Sequence, residues 1–192
     1  MLKKTTICAA LLLTAACAGE DTSDAAMVQE EQGMDVAPPV QETPVATAEL
    51  RDAQGASVGT ATLEEGATGV RIALDLTGLP EGPHGFHIHQ TGECAAPTFA
   101  SAGGHFNPTG AQHGLDNPQG PHAGDMQNLD VASGGVGRIA TDNERITLAP
   151  GPNSVLDSDG SAIVIHAAAD DNVTDPSGNS GDRIACGVIA AG

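Results

Sequence analysis

Tryptophan and tyrosine are absent from this 192-residue chain and phenylalanine occurs only three times. Any core must therefore be built from Val, Ile, Leu and Ala. Lysine is confined to Lys3 and Lys4, and Lys and Arg together number 7 against 25 Asp and Glu, for a formal net charge of -18. Such a field repels polyanions, which excludes nucleic acid and an anionic membrane surface as partners. No apolar run is long enough to cross a bilayer. Abundant instead are glycine, at 25, and proline, at 12, with 40% apolar residues. Many turns and a real core favour one all-β domain over a helical one.

Residues 1–16, "MLKKTTICAALLLTAA", have a basic start and a short apolar stretch, the pattern of a secretory signal peptide. "LLLTAACAG" resembles a bacterial lipobox, which would make Cys17 a lipidated first residue; a plain cut after "ACA" also satisfies the small-residue rule. Residues 17–44 mix acids, Ala, Gln and Pro without a period and read as a disordered acidic tether. A flexible chain of 28 residues has an r.m.s. reach of roughly 30 Å, enough to hold a domain clear of a membrane. The expected location is the bacterial cell envelope, on the periplasmic side, with membrane contact only through an anchor at Cys17.

From Val45 onward the pattern alternates. Ala46, Ala48 and Leu50 interleave with Thr47, Glu49 and Arg51, and Val70, Ile72, Leu74 and Leu76 with Arg71, Ala73 and Asp75. Further strands are expected at 58–63, 84–90, 128–131, 136–141, 145–148, 162–166 and 184–190. About eight short antiparallel strands without a helix predict an immunoglobulin-like Greek-key β-sandwich or barrel over residues 45–192.

In "HGFHIHQ", residues 84–90, parity places Phe86 and Ile88 on one face and His87 and His89 on the other. Two residues of strand rise roughly 6.6 Å, which lets two imidazoles converge on one ion. By the same parity His84 lies on the Phe86 face and reads as structural. Residues 91–127 form an aperiodic loop of about 37 residues, improbable in a compact domain unless function orders it. It contains His105, His113, His122 and Asp125, a plausible tetrahedral set for Zn²⁺. His166 closes an apolar strand, where a structural histidine would be the usual assumption. Beyond the signal region and Cys17, Cys94 and Cys186 are the two cysteines left, and in an exported protein they can pair.

Together, "GFHIH", "GGHFNP", "QHG", "PHAGD", "IVIHAAADD" and "GNSGDRIACGVI" resemble, in order, the motifs of the copper/zinc superoxide dismutases. The resemblance covers roughly residues 45–192. It implies one copper and one zinc per chain, superoxide as substrate, and the Greek-key fold. His87, His89, His105 and His166 would bind copper, and His105, as a bridging imidazolate, would join His113, His122 and Asp125 at zinc. Asp170 would be the carboxylate linking a copper-side and a zinc-side histidine. Arg183 would guide the anion, and His105 and Arg183 would be the catalytic residues. The segment from Asp170 to Arg183 is short and has no Lys, so Arg183 would meet superoxide almost alone. Exported bacterial members that dimerise use aromatic contacts, and without Tyr or Trp the state can be homodimer or monomer. A non-catalytic envelope copper- or zinc-binding protein on the same scaffold would need the histidines but not Arg183. A sandwich-type adhesion domain would leave the histidines unexplained.

Overall fold

A computed structural model describes residues 45–192. The signal peptide, the tether and Cys17 lie outside the described residues. Ten strands follow in chain order: β1 (Val45–Asp52), β2 (Ser57–Gly66), β3 (Gly69–Leu76), β4 (Gly82–His84), β5 (Phe86–His89), β6 (Leu129–Ala132), β7 (Val136–Asn143), β8 (Ala162–His166), β9 (Arg183–Val188) and β10 (Ala190–Ala191). All pairings are antiparallel, in the order β4-β6-β7-β3-β2-β1-β9-β8-β5, with β10 added to β1. The two ends of this path, β4 and β5, are separated in the chain by Gly85 alone, so the sheet nearly closes into the expected barrel. Among the described residues the only helical element is the 3₁₀ turn Ala100–Ala102.

Alternation explains why these segments are strands. In β1, Ala46, Ala48 and Leu50 point inward, and in β3 Val70, Ile72, Leu74 and Leu76 do the same. Burial of these aliphatic faces supplies most of the driving force, since only Phe86 and Phe106 bring aromatic rings to the main core. On the outer face, Arg138 pairs with Asp75 at 3.0 Å and Arg71 with Asp142 at 3.5 Å. Such exposed pairs add little stability, but they leave those arginines neutralised.

Two expectations need correction. The stretch 84–90 is not one strand: β4 ends at His84 and β5 begins at Phe86. Nor are residues 145–148 a strand. Ile146 and Leu148 are buried alternately, but the segment is a loop docked on the barrel end, with a single bridge from Thr147 to Ser154. The carboxylate of Glu65 accepts the Leu148 and Ala149 N–H groups and the Thr147 hydroxyl, taking the place of a neighbouring strand. Period-two burial therefore arises here without a ladder.

Cys94 and Cys186 form a disulfide with Cα atoms 5.7 Å apart, across 92 residues. It lies in a second apolar cluster outside the barrel with Phe99, Ala102, Ala162 and Val164, and fastens the long loop to β9. Cys94→Ser should therefore lower unfolding stability by about 2–5 kcal/mol and loosen the loop. Denaturant unfolding checks this, and an unchanged midpoint with unchanged metal retention would show that the bond does not constrain the fold.

Candidate metal centre

β5 is the last strand of the sheet path, and its free edge is covered by the long loop. Gln90 N donates to Gly104 O (2.9 Å), Phe106 N to Ile88 O (2.8 Å) and Ile88 N to Gly124 O (2.9 Å). This pairing orders a segment that has no strand pattern of its own, and it sets His105 opposite His89 and Asp125 opposite His87. It also buries the outer face of β5, so His87 and His89 are as enclosed as Phe86 and Ile88. A half-buried strand was expected; the loop makes it fully buried.

His87, His89, His105 and His166 present ligand atoms that all lie within 4.8 Å of one another. One nitrogen of each ring is held. His87 Nε2–H donates to Asp170 Oδ2 (2.6 Å), His89 Nδ1–H to Gly103 O (3.0 Å) and His166 Nδ1–H to Gly181 O (3.2 Å), while His105 Nδ1 meets Asp125 Oδ1 (2.9 Å). Because these partners only accept, they fix the tautomers and leave a lone pair on the other nitrogen. Those other nitrogens, His87 Nδ1 and the Nε2 atoms of His89, His105 and His166, are buried and have no hydrogen-bond partner. Burial pushes the imidazoles of His87 and His166 down, to about 3 and about 4, so both are neutral near pH 7. Burial also lowers His89 and His105. Four convergent, buried lone pairs suit a nitrogen-preferring cation, and among the described residues no hydrogen-bond donor meets them.

A second group lies beside the first. Asp125 Oδ1 is 2.9 Å from His105 Nδ1, 3.0 Å from His113 Nδ1 and 3.3 Å from His122 Nδ1, and the His122 and His105 Nδ1 atoms are 3.4 Å apart. A tetrahedron with zinc–nitrogen bonds of about 2.0–2.1 Å has edges of about 3.3–3.4 Å. The two His122 separations match this, and the 2.9 and 3.0 Å contacts of Asp125 with His105 and His113 are shorter, at hydrogen-bond length. His87 also comes within 4.8 Å of His105, His113 and Asp125. Its Nε2 is bound to Asp170 and its Nδ1 faces the first group, while His122 Nδ1 lies beside Asp125 and His105. Burial disfavours charge on His113, but its contacts with Asp125 and Asp170 outweigh it and raise the ring to about 9. Burial would likewise raise Asp125, yet the three histidines and the Gly114 N–H hold it well below the usual carboxylate range. A cation arriving at His113 Nδ1 must displace a proton.

Asp170 joins the groups. Its Oδ2 holds His87 and its Oδ1 holds His113 Nε2 at 3.0 Å. The space beside it is closed: at Gly178, φ +64°, a Cβ would sit 1.8 Å from Asp170 Oδ1 and 2.8 Å from His113 Nε2.

The copper/zinc superoxide dismutase family model matches residues 57–189. The chain belongs to this family. Superoxide dismutase [Cu-Zn] 2 of Aquifex aeolicus is 51% identical over 146 residues, 75% of this chain and 85% of that protein. Superoxide dismutase [Cu-Zn] of Deinococcus radiodurans is 42% identical over 161 residues, 77% of this chain and 85% of the other. Among solved structures, a superoxide dismutase-like protein of Bacillus subtilis matches with a TM-score of 0.72 at 41% identity, over 74% of this chain and 96% of that one.

In this superoxide dismutase chain, His89, His105, His166 and Arg183 line one open pocket of about 510 Å³, with Gln90, Asn107 and Ser177 at its walls. Arg183 Nη1 donates to Phe99 O and Nη2 to Gly103 O, each at 2.6 Å. Two of its five N–H donors are thereby engaged and three are left over. His84 joins neither group: its ring nitrogens meet the carbonyls of His166 (2.7 Å) and Pro80 (2.9 Å), in keeping with the structural role expected. Sequence reasoning missed Asn128, whose side chain both donates to Asp170 O (2.9 Å) and accepts from Asp170 N (2.8 Å). It also missed Asn143 and Arg145, which hold carbonyls of the His122–Asp125 turn. Side chains that bond to main chain leave no periodic trace, so no sequence signal marks them.

Proposed function

We infer that the protein converts superoxide to O₂ and H₂O₂ at a centre of one copper and one zinc per chain, with the balance 2 O₂⁻ + 2 H⁺ → O₂ + H₂O₂. The observation that carries this reading is the set of four unpartnered, buried nitrogens, three of them on histidines (His89, His105 and His166) that line the same pocket as Arg183. His87 Nδ1 and the Nε2 atoms of His89, His105 and His166 would hold copper, and the Nδ1 atoms of His105, His113 and His122 with Asp125 would hold zinc. Bound copper supplies the one-electron exchange, for which zinc has no capacity. His105 faces one group through Nε2 and the other through Nδ1, so its ring would link the two metals. At the pocket wall, His105 Nε2 could carry a proton to the substrate only while that nitrogen is not engaged with copper. Asp170 fixes the rings of His87 and His113 together, which keeps the two groups in register. Arg183 offers its free N–H groups to the anion, and the neutral Gln90, Asn107 and Ser177 add no competing charge.

Elemental analysis of the purified protein alongside a superoxide-removal assay tests this. About one copper and one zinc per chain with activity is expected, matching one copper-type and one zinc-type ligand set. Zinc without copper in a copper-replete preparation, with no activity, would favour the metal-buffer reading. The place of action we put in the bacterial envelope, on the periplasmic side, supported by the basic-then-apolar start and the lipobox-like "LLLTAACAG". Cys17→Ser should move the protein from the membrane fraction to the soluble envelope fraction at unchanged specific activity. A parent protein that is already soluble would refute lipidation.

A further inference from the structure

All four main-chain carbonyls of the His122–Asp125 turn are held from outside. Arg145 Nε donates to His122 O (3.2 Å) and Nη2 to Asp125 O (2.6 Å), Asn143 Nδ2 donates to Ala123 O (2.8 Å), and Ile88 N to Gly124 O (2.9 Å). The clamp is itself arranged in advance, because Asn143 Oδ1 accepts the Arg145 N–H at 2.9 Å.

Arg145 stands apart from the surface arginines. Arg51, Arg71 and Arg138 each pair with a carboxylate on the exposed sheet, whereas among the described residues Arg145 and Arg183 have no such ion pair and donate to carbonyls instead. A half-buried guanidinium aimed at two carbonyls three residues apart uses its planar fork, a geometry that one ammonium cannot reproduce. Both carbonyls belong to residues whose side chains meet in the second group, with His122 Nδ1 and Asp125 Oδ1 3.3 Å apart. We propose that Arg145 is a positioning residue of the zinc-side group: it sets the turn so that the His122 and Asp125 ligand atoms face one point, and thereby governs how tightly zinc is held. The inference rests on the zinc assignment made under the proposed function.

The test compares the parent chain with Arg145→Met and Arg145→Lys. Zinc and copper affinities are measured by chelator competition, the absorption of Co²⁺ placed in the zinc-side group reports its geometry, and far-UV circular dichroism reports folding. Arg145→Met should bind zinc about 10- to 100-fold more weakly, the range for groups that orient metal ligands. Arg145→Lys should lose less, and both should shift the Co²⁺ bands while copper affinity stays within about twofold. A folded Arg145→Met that holds zinc like the parent, or one that loses copper and zinc to the same degree, overturns the proposal. If Arg145→Met does not fold, Arg145→Lys decides by the same criteria. A parent chain that takes no zinc at this group fails the underlying assignment, and the proposal with it.

Discussion

His166→Ala should abolish superoxide removal and copper uptake while leaving zinc bound. His166 sits at the end of β8, where the register shifts between Ile165 and His166, and its ring is buried. Its Nδ1–H is held by Gly181 O, so its Nε2 has no other employment in the described fold than the four-nitrogen group. It has no bond to Asp125, His113 or His122, so all four residues of the proposed zinc side keep their mutual contacts when it is removed. Deleting a direct ligand exceeds the about 10- to 100-fold cost of deleting a group that merely orients one, so turnover should fall by more than about 100-fold. Atomic absorption of the purified variant with an activity assay measures both effects. Loss of the two metals together would mean that the division of ligands between the groups is wrong.

Asp170→Ala should behave differently, weakening both metals at once. One carboxylate holds His87 at 2.6 Å and His113 at 3.0 Å, and it also accepts the Asn172 N–H at 2.6 Å. Burial disfavours the Asp170 charge, yet the contacts with His113 and His87 keep its carboxyl below the usual range. Without it, His87 is free to place its proton on Nδ1, the atom needed for copper, and His113 loses the partner that orients its ring. Copper and zinc affinities should each drop about 10- to 100-fold in chelator competition. A loss confined to one metal would sink the view of Asp170 as the link between the two sides.

Much of this architecture is legible in the residues. The alternation in 45–51 and 70–76 is clear because these strands sit mid-sheet with one face in the core. The clustered histidines of the candidate centre are legible because imidazoles at period two in "GFHIH", with more of them along an aperiodic loop, are costly to gather in a protein interior without a cation to bind. The failures share a cause. Residues 145–148 alternate like a strand because a docked loop can also bury every second side chain, and only the partner of the backbone, here Glu65, tells the two apart. The loop that covers the outer face of β5 pairs by main-chain bonds, which any residue can make. Asn128, Asn143 and Arg145 act on carbonyls, and a lone Asn or Arg in sequence carries no hint of that.

The carbonyl of Gly103 accepts both His89 Nδ1–H, at 3.0 Å, and Arg183 Nη2–H, at 2.6 Å. Glycine is required there, since φ is +75° and a Cβ would lie 2.8 Å from Gln90 Cγ. Any replacement at this position moves the one oxygen on which a metal-facing imidazole and the pocket's arginine both depend. A change at position 103 would therefore disturb the settings of His89 and Arg183 together and not one of them alone.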